Sequence, residues 1–220
     1  MWILPLTATF LGALLAGVVF SLYRSRRNPA FIVWAVALAL LALASSCVFL
    51  GSMGGWTSLM AKTYYLSGSI LPAGFLASGM LYVLIPRKLA HVWLAFILLV
   101  ALMSMILISG AGTDTALLNV NDEPGWKALE LPDMLTVVAG ITRTLSILLL
   151  VVATIAGAVY GRLSWSSALV PLGIVITGAS SILILAGRYE YESIGFMTGI
   201  IVIFAGIIWT DPAERLSRNT

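Results

Sequence analysis

Two cations lie inside long apolar stretches of this chain, and they are its first candidates for chemistry. Lys62 is followed by Tyr64 and Tyr65, and Arg143 stands between Thr142 and Thr144. A charge within a membrane span is costly and marks a functional site by default. Two cations flanked by tyrosine and threonine hydroxyls would suit an anion or a lipid headgroup, the hydroxyls acting as hydrogen-bond donors. Like charges in a low-dielectric cavity repel by on the order of a few kcal/mol at close range. If Lys62 and Arg143 converge they therefore need a shared acceptor: Asp133, Glu190, Glu192 or a lipid phosphate. In the competing reading, both long side chains simply reach up to the outer interface. Arg188, Glu190 and Glu192 form a short charged turn, either a solvated hairpin tip or a counterion for those cations.

Other chemistry is excluded by what the chain lacks. His91 is the sole histidine and Cys47 the sole cysteine. A di-histidine haem site, a histidine-rich metal site and a thiolate cluster therefore cannot be built. Nucleophile-elbow, phosphate-loop and HExxH patterns do not occur. No acidic residue lies mid-span in the first, second, fourth, sixth or seventh run, and no lysine in the seventh could hold retinal. No catalytic residue, metal or cofactor is expected.

The elements that must position Lys62 and Arg143 are dictated by composition. Of 220 residues 60% are apolar and 10% charged, against roughly 45–50% and about 25% in soluble domains. A water-soluble fold is excluded. Seven apolar runs cover residues 2–23, 31–50, 57–86, 89–110, 134–160, 168–186 and 194–209, each long enough for a core about 30 Å thick. Within a bilayer the backbone must satisfy its own hydrogen bonds, so these runs are helices; barrel strands would alternate in polarity. The expectation is an all-α, polytopic bundle of seven transmembrane helices forming a single domain, 1–220. The first run resembles a leader, but Arg24, Arg26 and Arg27 follow it and no charge precedes it, which describes a first helix inserted N-out.

Placing the N-terminus outside leaves Arg24, Arg26, Arg27, Arg87, Lys88, Arg162, Arg215 and Arg218 in the cytoplasm, eight of the 12 basic residues. Lys62, Lys127, Arg143 and Arg188 remain on the outer side. That is the asymmetry of the positive-inside rule, and it puts the C-terminus in the cytoplasm. It also accounts for the net charge of +3 without nucleic acid; the partners expected are the lipid bilayer and other integral membrane subunits. Trp34, Trp93, Trp165 and Trp209 fall at inner ends and Trp2, Trp56 and Trp126 at outer ends, as interfacial anchors should. The acidic outer loop, 111–133, is either a cover over an outer cavity or a solvated connector.

Depth and packing follow from helical spacing. At 1.5 Å per residue Lys62 and Arg143 lie roughly 8 Å and 15 Å below the outer ends of their helices. Gly12 with Ala16, Ala13 with Gly17, and Gly195 with Gly199 and Gly206 have the spacing of close helix contacts. Pro72 and Pro171 predict kinks in the third and sixth spans. Spans one and two align loosely with five and six around Tyr23-Arg24 and Tyr160/Arg162, which suggests a three-plus-one-plus-three parallel repeat.

As a group, Lys62-Thr-Tyr-Tyr-Leu-Ser-Gly-Ser, Tyr82-Val-Leu-Ile-Pro-Arg-Lys and Ile200-Ile-Val-Ile-Phe-Ala-Gly resemble stretches of bacterial seven-helix integral membrane proteins of uncharacterised function. More distantly they are similar to the seven-helix sensor regions of membrane-bound histidine kinases. The resemblance implies a bacterial plasma-membrane protein and carries no functional residue over; with the chain ending about ten residues after the seventh run, no kinase output is expected. The layout is also that of SWEET sugar transporters, but the Pro-Gln pair is missing. Polar groups near mid-span amount to little beyond Ser45, Ser46, Thr177, Ser180 and Ser181, few for a polar solute. The role expected first is association with other membrane proteins, as an accessory subunit or sensor-like module. A small-solute transporter, or a lipid or small-anion binding protein with an outward-facing cationic site, is the alternative.

Overall fold

The computed structural model describes residues 3–118, 125–160, 165–185 and 189–209. Trp2, Arg162, Arg188, the loop residues 119–124 and the chain beyond Trp209 lie outside the described residues, as do the side chains of Trp165, Ser180, Ser181, Glu190 and Glu192. The rest is an all-α bundle of α1 (Ile3–Arg26), α2 (Pro29–Gly54), α3 (Ser58–Leu84), α4 (Arg87–Ser109), α5 (Asp133–Val159), α6 (Leu169–Leu185) and α7 (Tyr189–Trp209). The first five are long and apolar enough to cross a membrane, which makes the bundle polytopic; the described apolar parts of α6 and α7, Leu169–Ala179 and Ser193–Trp209, are shorter. α7 begins at Tyr189, so the backbone of Glu190 and Glu192 falls in its first turn.

Short, chemically specified turns make sequence neighbours antiparallel. Arg27 takes a left-handed conformation (φ 52°) and its N–H closes on the Tyr23 carbonyl at 2.8 Å. Asn28 then caps α2, its Oδ1 accepting from the Ala30 N–H at 3.0 Å with Pro29 in the first turn. At the opposite end Gly55 (φ 84°) turns the chain and the Thr57 hydroxyl accepts from the Met60 N–H at 3.2 Å. Arg24, Arg26, Arg27, Arg87 and Lys88 thereby share one end of the bundle, and the loop between α4 and α5 caps the other.

α3 is the central helix: 78% of its apolar window is buried, against 22% for α4. Its seam with α2 is built on Trp34, 1% exposed, whose indole N–H donates to the Leu76 carbonyl at 3.2 Å. The indole lies so close to Gly79 that any Cβ there would overlap it. Trp34 is thus a core residue and not an interfacial anchor; a place near a helix end is compatible with either use, and the missing side chain at Gly79 decides it.

The two prolines act differently. Pro72 has no N–H for the Gly68 carbonyl, and the preceding residues Tyr65–Ile70 widen into a π-helix, the Leu71 N–H returning five residues to Leu66 O. Pro171 falls in the first turn of α6, where N–H groups have no intrahelical partner anyway, so it is not a mid-span kink.

Glycines set which helices touch. A Cβ on Gly199 would overlap Thr177 Cγ2 and sit 2.8 Å from the Gly173 carbonyl oxygen, and one on Gly206 would be 2.7 Å from Val170 N. The α6–α7 pair therefore packs backbone to backbone, whereas α5 and α6 barely touch. A Cβ on Gly12 would sit 3.0 Å from Ala42 Cβ of α2, but Ala13 and Gly17 face outward and nothing lies within 4 Å of a Cβ at Gly17. Gly195 is half-buried. Overpacking of this kind costs about 1–3 kcal/mol. Gly199→Leu should lower the thermal midpoint in detergent by several degrees while Gly17→Leu leaves it in place; equal midpoints would deny the backbone contact.

Candidate functional site

The cap is folded onto the helices. Gly112 and Thr113 pair antiparallel with Glu130 and Leu129, and the Asp114 N–H donates to the Ala128 carbonyl at 2.8 Å. Ser58 and Thr113 hydroxyls meet at 2.7 Å, tying the cap to α3. Trp56 is wedged between Gly51 of α2 and Gly125 of the cap, each of which would need to give way if it carried a Cβ, and stacks edge-on against Tyr64 at 5.8 Å. In the described part of the loop Ala128 and Leu129 are buried and the nearby Trp126 lines a hollow in the bundle, while residues 114–117 are exposed.

That hollow is a cavity of about 630 Å³ between α3, α5, α6 and α7 with α2 behind, within the roughly 300–1,000 Å³ typical of small-molecule sites. Its polar lining comes from Tyr64 of α3, Tyr65 and Ser69 of the π-helical segment, Thr136, Arg143 and Thr144 of α5, and Thr177 of α6. Leu41, Leu76, Ile147, Ile174, Phe196 and Ile203 supply most of the apolar lining. Arg143 is the one charged residue among the described lining residues. No carboxylate among the described residues pairs with it. The Arg143 guanidinium and the Tyr65, Ser69 and Thr144 hydroxyls make a donor site for an oxyanion, whereas the Thr136 and Thr177 hydroxyls donate within their own helices, to the Asp133 and Ile174 carbonyls. The described lining holds no Asp, Glu, His or Cys, so it offers donors and positive charge but no carboxylate or imidazole to move a proton.

The residues singled out from sequence separate here. Tyr64, Tyr65, Arg143 and Thr144 line the cavity. Lys62 does not: its Nζ donates to the Ser109 carbonyl at 3.1 Å, satisfying one of the orphan carbonyls at the C-terminus of α4, where a cation also meets the favourable end of the helix dipole. Thr142 is buried, 4% exposed, and does not line the cavity. Arg188 and the Glu190 side chain lie outside the described residues. Sequence reasoning passed over Trp126, Ser69 and Thr136. Ser69 carried a signal, a polar residue one turn ahead of an in-span proline; Trp126 carried none, because its position depends on how the cap folds.

Fold and cavity together define a polytopic α-helical bundle with a cationic pocket under a folded cap. The chain matches no family model, no curated protein and no solved structure.

If Trp126 closes the cavity from the capped end, a thiol placed inside should be shielded by it. In a Cys47→Ser background, Ser69→Cys should react slowly with a water-soluble maleimide, and adding Trp126→Ala should speed the reaction several-fold. An unchanged rate would show that Trp126 is not the barrier.

Proposed function

We propose that the chain is a seven-span integral membrane protein of the bacterial plasma membrane, N-terminus outside and C-terminus in the cytoplasm, that binds an anionic ligand under its outer cap without transforming it. The observation that carries this reading is Arg143, an in-span cation lining a roomy cavity beside hydroxyl donors. Orientation rests on the basic cluster of Arg24, Arg26, Arg27, Arg87 and Lys88 at the end opposite the cap. Association with other membrane subunits, expected first from the sequence, gains no separate support, because the exposed apolar face of α4 (Leu98, Leu99, Leu102, Ile106) is equally what lipid requires. The repeat plays no part in the proposal.

Two measurements test it. With Cys47 replaced, a membrane-impermeant thiol reagent applied to intact cells should label a cysteine at Glu123 and spare one at Ser217; the reverse pattern would invert the topology. For the site, a ligand at 100 times its Kd stabilises the folded state by about 2.7 kcal/mol. An alkyl phosphate should therefore raise the melting temperature in neutral detergent by several degrees, an alkyl trimethylammonium of equal chain length should not, and Arg143→Gln should abolish the difference. Equal shifts from both amphiphiles would refute an anion site.

A further inference from the structure

Within the reading just given, we propose that the occupant is an anionic phospholipid of the surrounding bilayer. It reaches the cavity sideways between α5 and α6, with its phosphate at Arg143 and one acyl chain in the apolar depth. This rests on the cavity being an anion site, and it adds the ligand class and the route.

The route follows from the two kinds of glycine on α6. Gly173 is in backbone contact with α7, whereas nothing lies within 4 Å of a Cβ built on Gly178, nor on Gly140 of α5, and both of these line the cavity. α6 is held to α7 and stands off from α5. Cavity-lining residues on both sides of that gap, Arg143 and Thr144 on α5 and Val175 (53% exposed) and Gly178 on α6, are exposed, so the cavity opens on the flank of the bundle and not only toward the cap. At membrane depth such a gap is filled by hydrocarbon, because an empty one forfeits the dispersion contacts of its whole lining.

The ligand class follows from where polarity sits along the cavity. Counted from the capped ends of their helices at 1.5 Å per residue, Tyr65, Arg143, Thr144 and Ser69 lie at roughly 10–17 Å with Phe196 beside them, and Leu41, Ile147, Ile203 and Leu76 at roughly 20–27 Å. Donors above and aliphatic side chains below match an amphiphile standing along the membrane normal. A free inorganic anion would leave the lower half empty, and a cationic amphiphile would be repelled by Arg143. α5 has 27 residues, about 40 Å against a hydrocarbon core of about 30 Å. The Arg143 backbone is then roughly 10 Å inside the outer boundary, close enough for a long side chain to meet a headgroup drawn slightly inward. A planar guanidinium also matches phosphate by paired hydrogen bonds. The flank opening leaves room for the rest of a two-chain lipid to remain in the bilayer, which a single-chain fatty acid would not need.

Extraction of the full chain from native membranes in a mild neutral detergent, followed by native mass spectrometry and lipid quantification, tests this. Wild type should retain a stoichiometric anionic phospholipid through washing. Arg143→Gln should lose the preference for anionic over zwitterionic lipid. Gly178→Leu and Gly140→Leu each place a side chain in open space, so the delipidated variants should melt with delipidated wild type while retained lipid is lost. A retained fatty acid with no phospholipid would overturn the ligand class and leave the anion site standing. No retained anionic species, together with no response to alkyl phosphate, would overturn both. Full phospholipid retention in both glycine variants, with the melting temperature unchanged, would overturn the lateral route.

Discussion

Pro72 cannot donate a hydrogen bond to Gly68, and at membrane depth no water stands by to replace it. The chain answers by widening one turn, so that Leu71 N–H reaches back to Leu66 O through the π-helical Tyr65–Ile70. One inserted residue turns everything above it by about 100° relative to an unbroken helix. Of the residues that α3 gives to the upper cavity, Tyr65, Gly68 and Ser69 lie in that widened segment and Tyr64 directly precedes it. Gly68 at the same time lets α2 approach, with Ala44 Cβ only 3.2 Å from where its own Cβ would be. The wall of the cavity and the packing of the central helix thus come from one missing N–H.

The opposite wall is set by glycine contact and its absence. Between α6 and α7 the glycines are filled by the neighbouring backbone; at Gly140 and Gly178 they face open space. Small residues let two helix backbones approach closely, and where they face open space the helices stay apart. α6 consequently goes with α7, a gap is left beside α5, and Arg143 stands in it. Trp56 and Trp126 then close the capped end, one as a wedge between two glycines and the other as a lining residue.

The helices were legible in the sequence because run length against bilayer thickness is a strong constraint, and the observed boundaries fall within a few residues of the apolar runs, five at the start of α7. Arg143 was legible for the same reason, as a charge in a span. Lys62 looked equivalent, but what separates the two is the neighbour each meets in space: Lys62 ends on the Ser109 carbonyl, a partner 47 residues away that spacing along the chain cannot supply. Trp34 failed similarly, since its burial depends on Gly79 across the α2–α3 seam. The Gly199 face showed the right period but not its partner. Gly12 and Gly17 had equivalent spacings, and only the fold distinguishes the face that packs from the one that does not.

A density map of the protein in nanodiscs containing anionic phospholipid tests the central claim most directly. The account predicts an elongated feature with its phosphate-sized head within hydrogen-bond distance of the Arg143 guanidinium, about 2.7–2.9 Å, and its tail running past Ile147 toward Leu76. A cavity closed by contact of α5 with α6, or holding only water while Arg143 turns away to the outer interface, would contradict it.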